Sequence, residues 1–337
     1  MIVLGLAGSQ LAPKLAASYK QFIVRTFPDG ELSVSLPQDL TSTEVLVVLE
    51  WALLGTPAPA QCLLVLLALL EQLRVASVSN VTLVCTYLPF ARSSYTPSSP
   101  LYLLGQQLKL FSSAQLITID LHDAALIAQF PVPLITIPTT DLWAYGPLEY
   151  VQNIPAPSQW VSALPEQDQA ASELCVISPD AGGAQRAEQL AAKLGISWGA
   201  MHKVRLAGTA VQAGEVGVSG LSCPVLGKTV ILLDDIVATA GTAVQACKFL
   251  REHGAVRIIG CFTHALFAGD AATRLLHAGF DEIYVTTTVR SASPDPGISL
   301  ISIDKLLEKA LHVTDFGQKN TIVHVKKAAR PEERVVA

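Results

Sequence analysis

The segment VILLDDIVATAGTAVQA, residues 230–246, combines an apolar run, two adjacent carboxylates, a loop of small residues and the start of a helix. An unpaired buried carboxylate is costly, so Asp234 and Asp235 should mark the point where a buried strand meets solvent or a ligand. A continuous apolar run is typical of a strand that is covered on both faces of a parallel sheet. The segment therefore predicts a strand–loop–helix unit of an α/β protein.

The rest of the chain repeats this unit. Apolar runs of similar length alternate with helical patterns, several of which end in Gly or Ser, and this alternation indicates parallel sheets. These further runs are 43–50, 80–91, 114–123, 172–183, 256–267 and 282–289. The fold class is thus expected to be α/β. At 337 residues, two domains of about 150 residues each are expected, and the proline-rich stretch 144–172 predicts their junction.

Composition excludes several classes of protein. A net charge of −5 argues against general nucleic-acid binding. The most apolar stretch, residues 62–73, is shorter than the roughly 18 residues of a membrane span and contains Glu71, which favours a buried helix. The N-terminus lacks the basic start of a secretory signal, and the six cysteines form no C-x-x-C pair. We therefore expect a cytoplasmic protein with no nucleic-acid partner and no membrane partner.

Polar side chains follow several of the apolar runs. In open α/β sheets, ligands bind beyond the carboxyl ends of the strands. Any one of these side chains could be a helix cap or a salt-bridge partner, but their joint placement favours a ligand site. They are Arg92, His122, Asp180, Asp234, Asp235 and His264.

The loop after Asp235 has the features of an anion site. Its small residues lead into a helix start near Thr242, where backbone N–H groups and the helix dipole favour an anion. Thr239 and Thr242 can add hydroxyl donors. Two carboxylates just before such a loop suit the vicinal hydroxyls of a ribose, directly or through a divalent cation. The loop lacks the Lys of a Walker P-loop.

This D-D-x-x-x-T-x-x-T arrangement resembles the phosphoribosyl-pyrophosphate (PRPP) loop of type I phosphoribosyltransferases. Taken with the other motifs in their order, the chain is similar to the ribose-phosphate pyrophosphokinase family over about residues 1–312. The motifs are VRTFPDGELSV (24–34), DLH (120–122), VISPDAGGAQRAEQLAAKLG (176–195), HKVR (202–205), LDDIVATAGT (233–242) and FTHALFAGDAATRLLHAGFDEIYVTTTV (262–289).

The resemblance implies two similar domains, each with a parallel sheet of the phosphoribosyltransferase type. Residues 1–145 would form the ATP side and residues 146–290 the ribose 5-phosphate side. Residues 291–315 would return to the N-terminal domain, and residues 316–337 would be a charged tail. The implied reaction transfers the diphosphoryl group of Mg-ATP to the C1 hydroxyl of ribose 5-phosphate, giving PRPP and AMP.

The resemblance also implies a role for individual residues. Lys203 would stabilise the transition state, and Arg205 would assist it and contact the sugar phosphate. His122 and Asp180 would associate with Mg²⁺. The remaining ribose 5-phosphate residues would be Asp234, Asp235, Ala238, Thr239, Ala240, Gly241 and Thr242. The ATP-binding residues would be Phe27, Asp29, Gly30, Glu31, Arg92 and Ser93.

The first four ATP-binding residues belong to a segment that the family supplies from a neighbouring subunit. The resemblance thus implies a homo-oligomer, either a dimer or a hexamer built from dimers.

The chain departs from the family pattern at several positions. Ala238 replaces the second acid of the ribose loop, Ser93 and Ser94 replace Gln-Asp, and the segments 57–77 and 206–214 lack polar and basic residues that are common there. A non-catalytic or regulatory homologue is therefore an alternative, and a phosphoribosyltransferase that consumes PRPP is a further one. The retained Lys203 and Arg205 favour the enzyme over the first alternative. The FPDGE and DLH motifs count against the second, because that reaction does not need the N-terminal half.

Overall fold

A computed structural model of the chain describes residues 1–16, 18–54, 58–145, 174–205, 216–289, 293 and 295–312. Within these ranges, the side chains of residues 145, 203–205, 216–219 and 312 are not described. The predicted tail at 316–337 therefore lies outside the described residues. Of the predicted junction at 144–172, only residues 144 and 145 are described.

The first half of the chain forms a seven-stranded sheet in the order β3-β2-β1-β4-β5-β6-β7. All neighbours are parallel except β2 and β3, which are antiparallel at one edge. The strands are β1 (Ile2–Leu6), β2 (Tyr19–Thr26), β3 (Leu32–Ser35), β4 (Glu44–Leu49), β5 (Asn80–Cys85), β6 (Ser113–Ile119) and β7 (Leu134–Ile137).

The second half forms another seven-stranded sheet, in the order β10-β9-β8-β11-β12-β13-β14. The second sheet repeats the strand order of the first, since each strand number is larger by seven. Again only the edge pair, β9 and β10, is antiparallel. The strands are β8 (Leu174–Ser178), β9 (Ser197–Arg205), β10 (Val216–Leu221), β11 (Thr229–Val237), β12 (Arg257–Ala265), β13 (Glu282–Thr286) and β14 (Ile298–Ile301). The predicted α/β class with two similar, mostly parallel sheets is confirmed.

Helices cover the sheets as the sequence pattern predicts. The apolar stretch 62–73 is part of a helix whose buried residues recur at helical spacing, and proline occupies its first position, where it suits a helix start. The α-helices are α1 (Ala12–Leu15), α2 (Pro59–Val75), α3 (Pro100–Leu108), α4 (Leu126–Gln129), α5 (Thr140–Tyr145), α6 (Ala184–Leu194), α7 (Gly241–Glu252), α8 (Ala271–Leu276) and α9 (Asp304–His312). None of the helices in the described ranges combines the length and apolar character needed to cross a bilayer.

The two halves share a hydrophobic core. One cluster of buried side chains contains Val3 and Trp143 from the first half together with Ala187 and Leu190 from the second. Both sheets therefore bury side chains in one shared cluster.

The segment 291–315 does not return to the first half as a whole. Strand β14 pairs in parallel with β13 and so belongs to the second sheet. Helix α9 does contact the first half, where Lys14 lies 3.0 Å from Glu308. The expected return therefore describes the helix and not the strand. The proposed boundaries at 145 and 290 stay a prediction.

Candidate active site

A cavity of about 460 Å³ lies at the carboxyl ends of strands from both halves. His122 follows β6 of the first sheet, whereas Asp180 and Asp235 lie at the ends of β8 and β11 in the second. The side chains that shape its chemistry are His122, Asp180, Arg186, His202 and Asp235, with Gly182 and Gly183 in the wall. Three residues predicted from sequence for the metal and sugar sites therefore meet in one cavity.

His122 and Asp235 form a pair across the two halves. His122 Nδ1 lies 2.7 Å from Asp235 Oδ2, and the Asp235 side chain is only 4% exposed. This hydrogen bond raises the pKa of His122 above its ordinary value. Burial acts to raise the pKa of Asp235, but the hydrogen bond to His122 and the charge of Arg186 outweigh it and hold that pKa well below its usual range.

The two adjacent carboxylates consequently differ. Burial, followed by repulsion from Asp235, raises the pKa of Asp234 well above its ordinary value. The Asp235 backbone N–H donates to Asp234 Oδ1 at 2.9 Å. Asp235 is thus the ionised member of the pair, balanced by His122 and Arg186, and Asp234 is the member that holds a proton more readily.

Arg186 is a site residue that the sequence analysis did not identify. It lies in the first turn of α6, and its Nη2 is 3.4 Å from Asp235 Oδ2. Burial acts to lower the pKa of Arg186, but nearby carboxylates, led by Asp120 and Asp235, raise it above its ordinary value. Its position three residues after the Gly-Gly pair of the 176–195 motif is the signal that could have placed it at this strand end.

The loop between β8 and α6 holds Asp180 in place. The Ser178 hydroxyl donates to the Asp180 carbonyl at 2.8 Å, and the Gly183 N–H donates to Asp180 Oδ1 at 3.2 Å. A Cβ atom at Gly183 would collide with Ser178 Oγ, so this position needs glycine. The loop opens a helix N-terminus onto the cavity wall, a position that favours an anion.

Behind the cavity, Asp120 joins the two halves through buried hydrogen bonds. Its carboxylate accepts from the Thr139 N–H at 3.0 Å, from the Thr139 hydroxyl, and from the Thr263 hydroxyl at 2.6 Å. The fully buried His264 lies 3.1 Å from the Ile119 carbonyl through Nε2, and burial lowers its pKa. Because Asp120 is two residues before His122, these contacts fix the strand end that carries His122.

The predicted ribose loop follows β11 directly. Ala240 has a left-handed backbone, with φ of 63°, and Gly241 is the first residue of α7. Thr239 is exposed and Thr242 is half-buried, so neither side chain is enclosed by the core. Ala238 stands at the start of the loop, where the family pattern has an acid.

The predicted ATP-binding residues fall into two groups. Phe27, Asp29, Gly30 and Glu31 are exposed at the turn between β2 and β3, and among the described residues they do not line the cavity. The exposed pair Arg92 and Ser93 follows β5, and the charge of Arg92 acts to lower the pKa of His122, so this cation lies near the cavity. It stays a prediction that the first group, Phe27 to Glu31, completes the ATP site of a neighbouring subunit.

The predicted catalytic pair lies on β9. Lys203 and Arg205 pair with Val218 and Val216 of β10, and His202, their neighbour, lines the cavity. Their own side chains lie outside the described part of the chain, so their roles stay predictions. The described residues contain no cluster of three or more His, Cys, Asp and Glu side chains that could hold a metal ion by themselves.

Comparison with known proteins places the chain in a family. A family model described as the N-terminal domain of ribose phosphate pyrophosphokinase matches residues 6–101, and one described as the phosphoribosyl transferase domain matches residues 161–289. A ribose-phosphate pyrophosphokinase of Methanopyrus kandleri is 30% identical over 285 residues, which cover 84% of this chain and 88% of the relative. One of Xanthomonas campestris is 28% identical, over 94% of this chain and 93% of the relative.

A solved structure shares the fold. The crystal structure of phosphoribosylpyrophosphate synthetase from Mycobacterium smegmatis matches with a TM-score of 0.70 and 24% identity, covering 93% of this chain and 97% of that one. Both halves of that molecule therefore have counterparts here. With family models matching both halves and a 30% identical relative matched over most of its length, the chain belongs to the ribose-phosphate pyrophosphokinase family.

Proposed function

We propose that this enzyme synthesises PRPP, transferring the diphosphoryl group of Mg-ATP to the C1 hydroxyl of ribose 5-phosphate and releasing AMP. The observation that carries the proposal is the shared cavity, where His122 from the first half meets Asp180, Arg186 and Asp235 from the second. A reaction between two phosphorylated substrates needs such a convergence of cations and potential metal ligands, because phosphoryl-type transfer depends on positioning and charge stabilisation.

On the sugar side, Asp234 and Asp235 suit the vicinal hydroxyls of ribose. The 5-phosphate would lie against the loop Ala238–Thr242, at the N-terminus of α7, with Thr239 and Thr242 as donors. In the reaction, the C1 oxygen forms a bond to the β-phosphorus, the bond from that phosphorus to the α-phosphate oxygen breaks, and the hydroxyl proton is released. Lys203 and Arg205 would stabilise the charge that develops on the transferred group.

On the nucleotide side, Arg92 and Ser93 would lie beside ATP. Phe27, Asp29, Gly30 and Glu31 would complete the ATP site of a neighbouring subunit, because they are exposed at a hairpin turn and do not line their own chain's cavity. The enzyme would therefore act as a homo-oligomer, a dimer or a hexamer built from dimers. A cytoplasmic location fits substrates of this kind.

The donor set fits a magnesium ion that is completed by substrate. Mg²⁺ keeps several waters and usually binds through one or two carboxylates together with substrate phosphates. His122 and Asp180 line the same cavity without forming a closed cage, and they would hold the ion beside the diphosphate. When bound, Mg²⁺ would neutralise charge on the diphosphoryl group. His122 is held for this role by its hydrogen bond to Asp235.

The decisive experiment measures AMP release from ATP with and without ribose 5-phosphate. We expect AMP and PRPP in equal amounts, and only when both substrates and Mg²⁺ are present. No AMP at any substrate concentration would instead favour a non-catalytic or regulatory homologue, for which the loss of an acid at Ala238 is the supporting observation. Consumption of PRPP with a nucleobase would favour a phosphoribosyltransferase.

A further inference from the structure

Arg274 reaches the predicted ribose loop from a different element. It lies in α8, and its Nη1 donates to the Thr239 carbonyl at 3.0 Å, across 35 residues of sequence. Its Nη2 lies 3.9 Å from the place that a Cβ atom on Gly241 would occupy. The guanidinium is therefore beside the N-terminus of α7, where the sugar phosphate is proposed to bind.

The carbonyl oxygens that lead into the first turn of α7 accept hydrogen bonds. Those of four successive residues, 237–240, accept hydrogen bonds, three of them from the segment 267–274 that follows β12. The donors are, in order, the N–H of Phe267 at 3.1 Å, the N–H of Ala268 at 2.8 Å, Nη1 of Arg274 at 3.0 Å and the N–H of Val244 at 2.9 Å. A carbonyl oxygen that faced an anion would repel it. Holding these oxygens elsewhere leaves the N–H groups at the start of α7 for the ligand.

Among these four hydrogen-bond donors, Arg274 is the side chain, and its guanidinium adds a positive charge beside the loop. The loop residues 238–242, Ala-Thr-Ala-Gly-Thr, carry no charge themselves. A sugar phosphate carries close to two negative charges near neutral pH. A guanidinium has five N–H donors in a planar fork that suits phosphate, and the bond to Thr239 uses one of them.

We propose that Arg274 determines selectivity for a phosphorylated sugar: it fixes the Thr239 carbonyl away from the ligand and supplies a positive charge at the edge of the loop. The inference rests on the proposed function, since it assigns the 5-phosphate to this loop. Arg274 is a positioning residue for the sugar phosphate and touches neither the transferred group nor ATP.

A purely structural role for Arg274 can be separated from this one with Arg251 as the control. Arg251, in the last turn of α7, also clasps backbone carbonyls, those of Gly279 and Val256, at 2.8 Å each. It lies at the opposite end of α7 from the loop. Replacing Arg251 should therefore show how the loss of arginine–carbonyl hydrogen bonds affects the stability of the fold without affecting the loop.

The test measures ribose 5-phosphate binding to the full-length protein by calorimetry without nucleotide, together with the KM values for both substrates. Arg274→Ala should weaken ribose 5-phosphate binding and raise its KM by about tenfold or more, the scale of one charge-assisted hydrogen bond. The KM for ATP and the kcat should stay within about twofold, since only binding common to ground and transition states is lost. Arg274→Lys, which keeps the charge, should recover part of the affinity, and Arg251→Ala should bind as wild type does.

Three results would overturn the inference. One is an unchanged dissociation constant for ribose 5-phosphate in Arg274→Ala. Another is an equal loss in Arg251→Ala, and the third is a parallel loss of affinity for ATP together with a lower melting temperature. If the wild type binds ribose 5-phosphate but releases no AMP, the proposed activity fails, while the binding series still decides the role of Arg274.

Discussion

Replacing Thr263 with Val should weaken the contact between the two halves of the chain by about 2 kcal/mol. The Thr263 hydroxyl donates to the buried Asp120 carboxylate at 2.6 Å, and the Thr139 N–H and hydroxyl supply the other two bonds. Valine has nearly the shape of threonine, so the packing is kept and only the donor is lost. A hydrogen bond to a charged group contributes about 1.5–3 kcal/mol, and a buried acceptor left unpaired adds to the cost.

A matched control exists in Thr86. Its hydroxyl also joins the two halves, donating to the Thr288 carbonyl at 2.7 Å, and it is as deeply buried, at 1% exposed against 0% for Thr263. Its acceptor is neutral, so Thr86→Val should cost about 0.5–1.5 kcal/mol. The Thr86 hydroxyl also accepts from the Trp51 N–H at 3.4 Å, so the difference between the two variants, about 1 kcal/mol, is a lower bound on the effect of the Asp120 charge.

Urea unfolding of both variants measures this difference. The protein concentration should be the same in every experiment, because assembly stabilises the folded state by mass action. With equal m values, the shift of the midpoint gives the change in the free energy of unfolding. A Thr263→Val variant as stable as the wild type would show that Asp120 does not depend on this bond, and one only as costly as Thr86→Val would show no added contribution from the charge.

Four other predictions address the site and the fold. Lys203→Ala should lower kcat by about a hundredfold or more, the scale of a lost transition-state donor, at an unchanged melting temperature; unchanged turnover would make Lys203 a surface charge. His122→Ala should raise the Mg²⁺ concentration for half-maximal velocity, and an unaltered magnesium titration would remove it from the metal site. Ala238→Asp should lower the KM for ribose 5-phosphate more than that for ATP; a constant that does not move would show that position 238 does not face the sugar. Burial lowers the pKa of His264 in the folded state, so below the ordinary histidine pKa of 6.5 the unfolded state binds more protons than the folded state. The contribution of His264 to the free energy of unfolding should therefore be complete above pH 6.5. Below that pH the free energy of unfolding should fall by at most about 1.4 kcal/mol per pH unit. Urea unfolding between about pH 8 and pH 5.5 should show a shallower fall for His264→Gln, and equal slopes would refute the assignment.

The central strands could be read from the sequence because burial on both faces leaves a continuous apolar run. Strand β8 is buried at every position and β12 at all but its first. The strands at the sheet edges, and β2 next to one edge, gave no such signal. Strand β2 has a single buried residue, and β7 and β14 are four residues long with only their ends buried. The repeated strand order was equally invisible, because it is set by contacts between distant segments and not by local pattern.

The candidate site likewise contains some residues that the sequence pattern identified and others that it did not. Residues at the ends of apolar runs, such as His122, Asp180 and Asp235, were identified because parallel strands bring their carboxyl ends to one edge. Arg186 was missed because it lies in the first turn of a helix and not at the end of an apolar run, so only its distance from the Gly-Gly pair points to this strand end. The bond from Thr263 to Asp120 spans 143 residues, and no local pattern reports a contact of that length.

The repeated strand order raises the question of why only one half carries the acid pair. Strand β4 occupies in the first sheet the place that β11 occupies in the second, and Glu50 directly follows β4, so Glu50 is the acid of the first half that is nearest in position to the Asp234–Asp235 pair. The Ser9 hydroxyl donates to Glu50, and burial raises the pKa of this carboxyl. Glu50 is thus a single acid satisfied within its own half.

The acid pair of the second half, in contrast, has a hydrogen-bond partner in the first half. Asp235 is balanced by Arg186 and by His122, and His122 comes from the other sheet. If the second half were separated, Asp235 would lose its hydrogen-bonded partner, and Thr263 would lose the Asp120 carboxylate. Within the intact protein, a buried carboxylate deprived of its partner costs several kcal/mol, so Asp235 in its buried position depends on His122 of the first sheet. The duplication of the fold therefore yields one composite site, built from the acids of the second sheet and the histidine of the first.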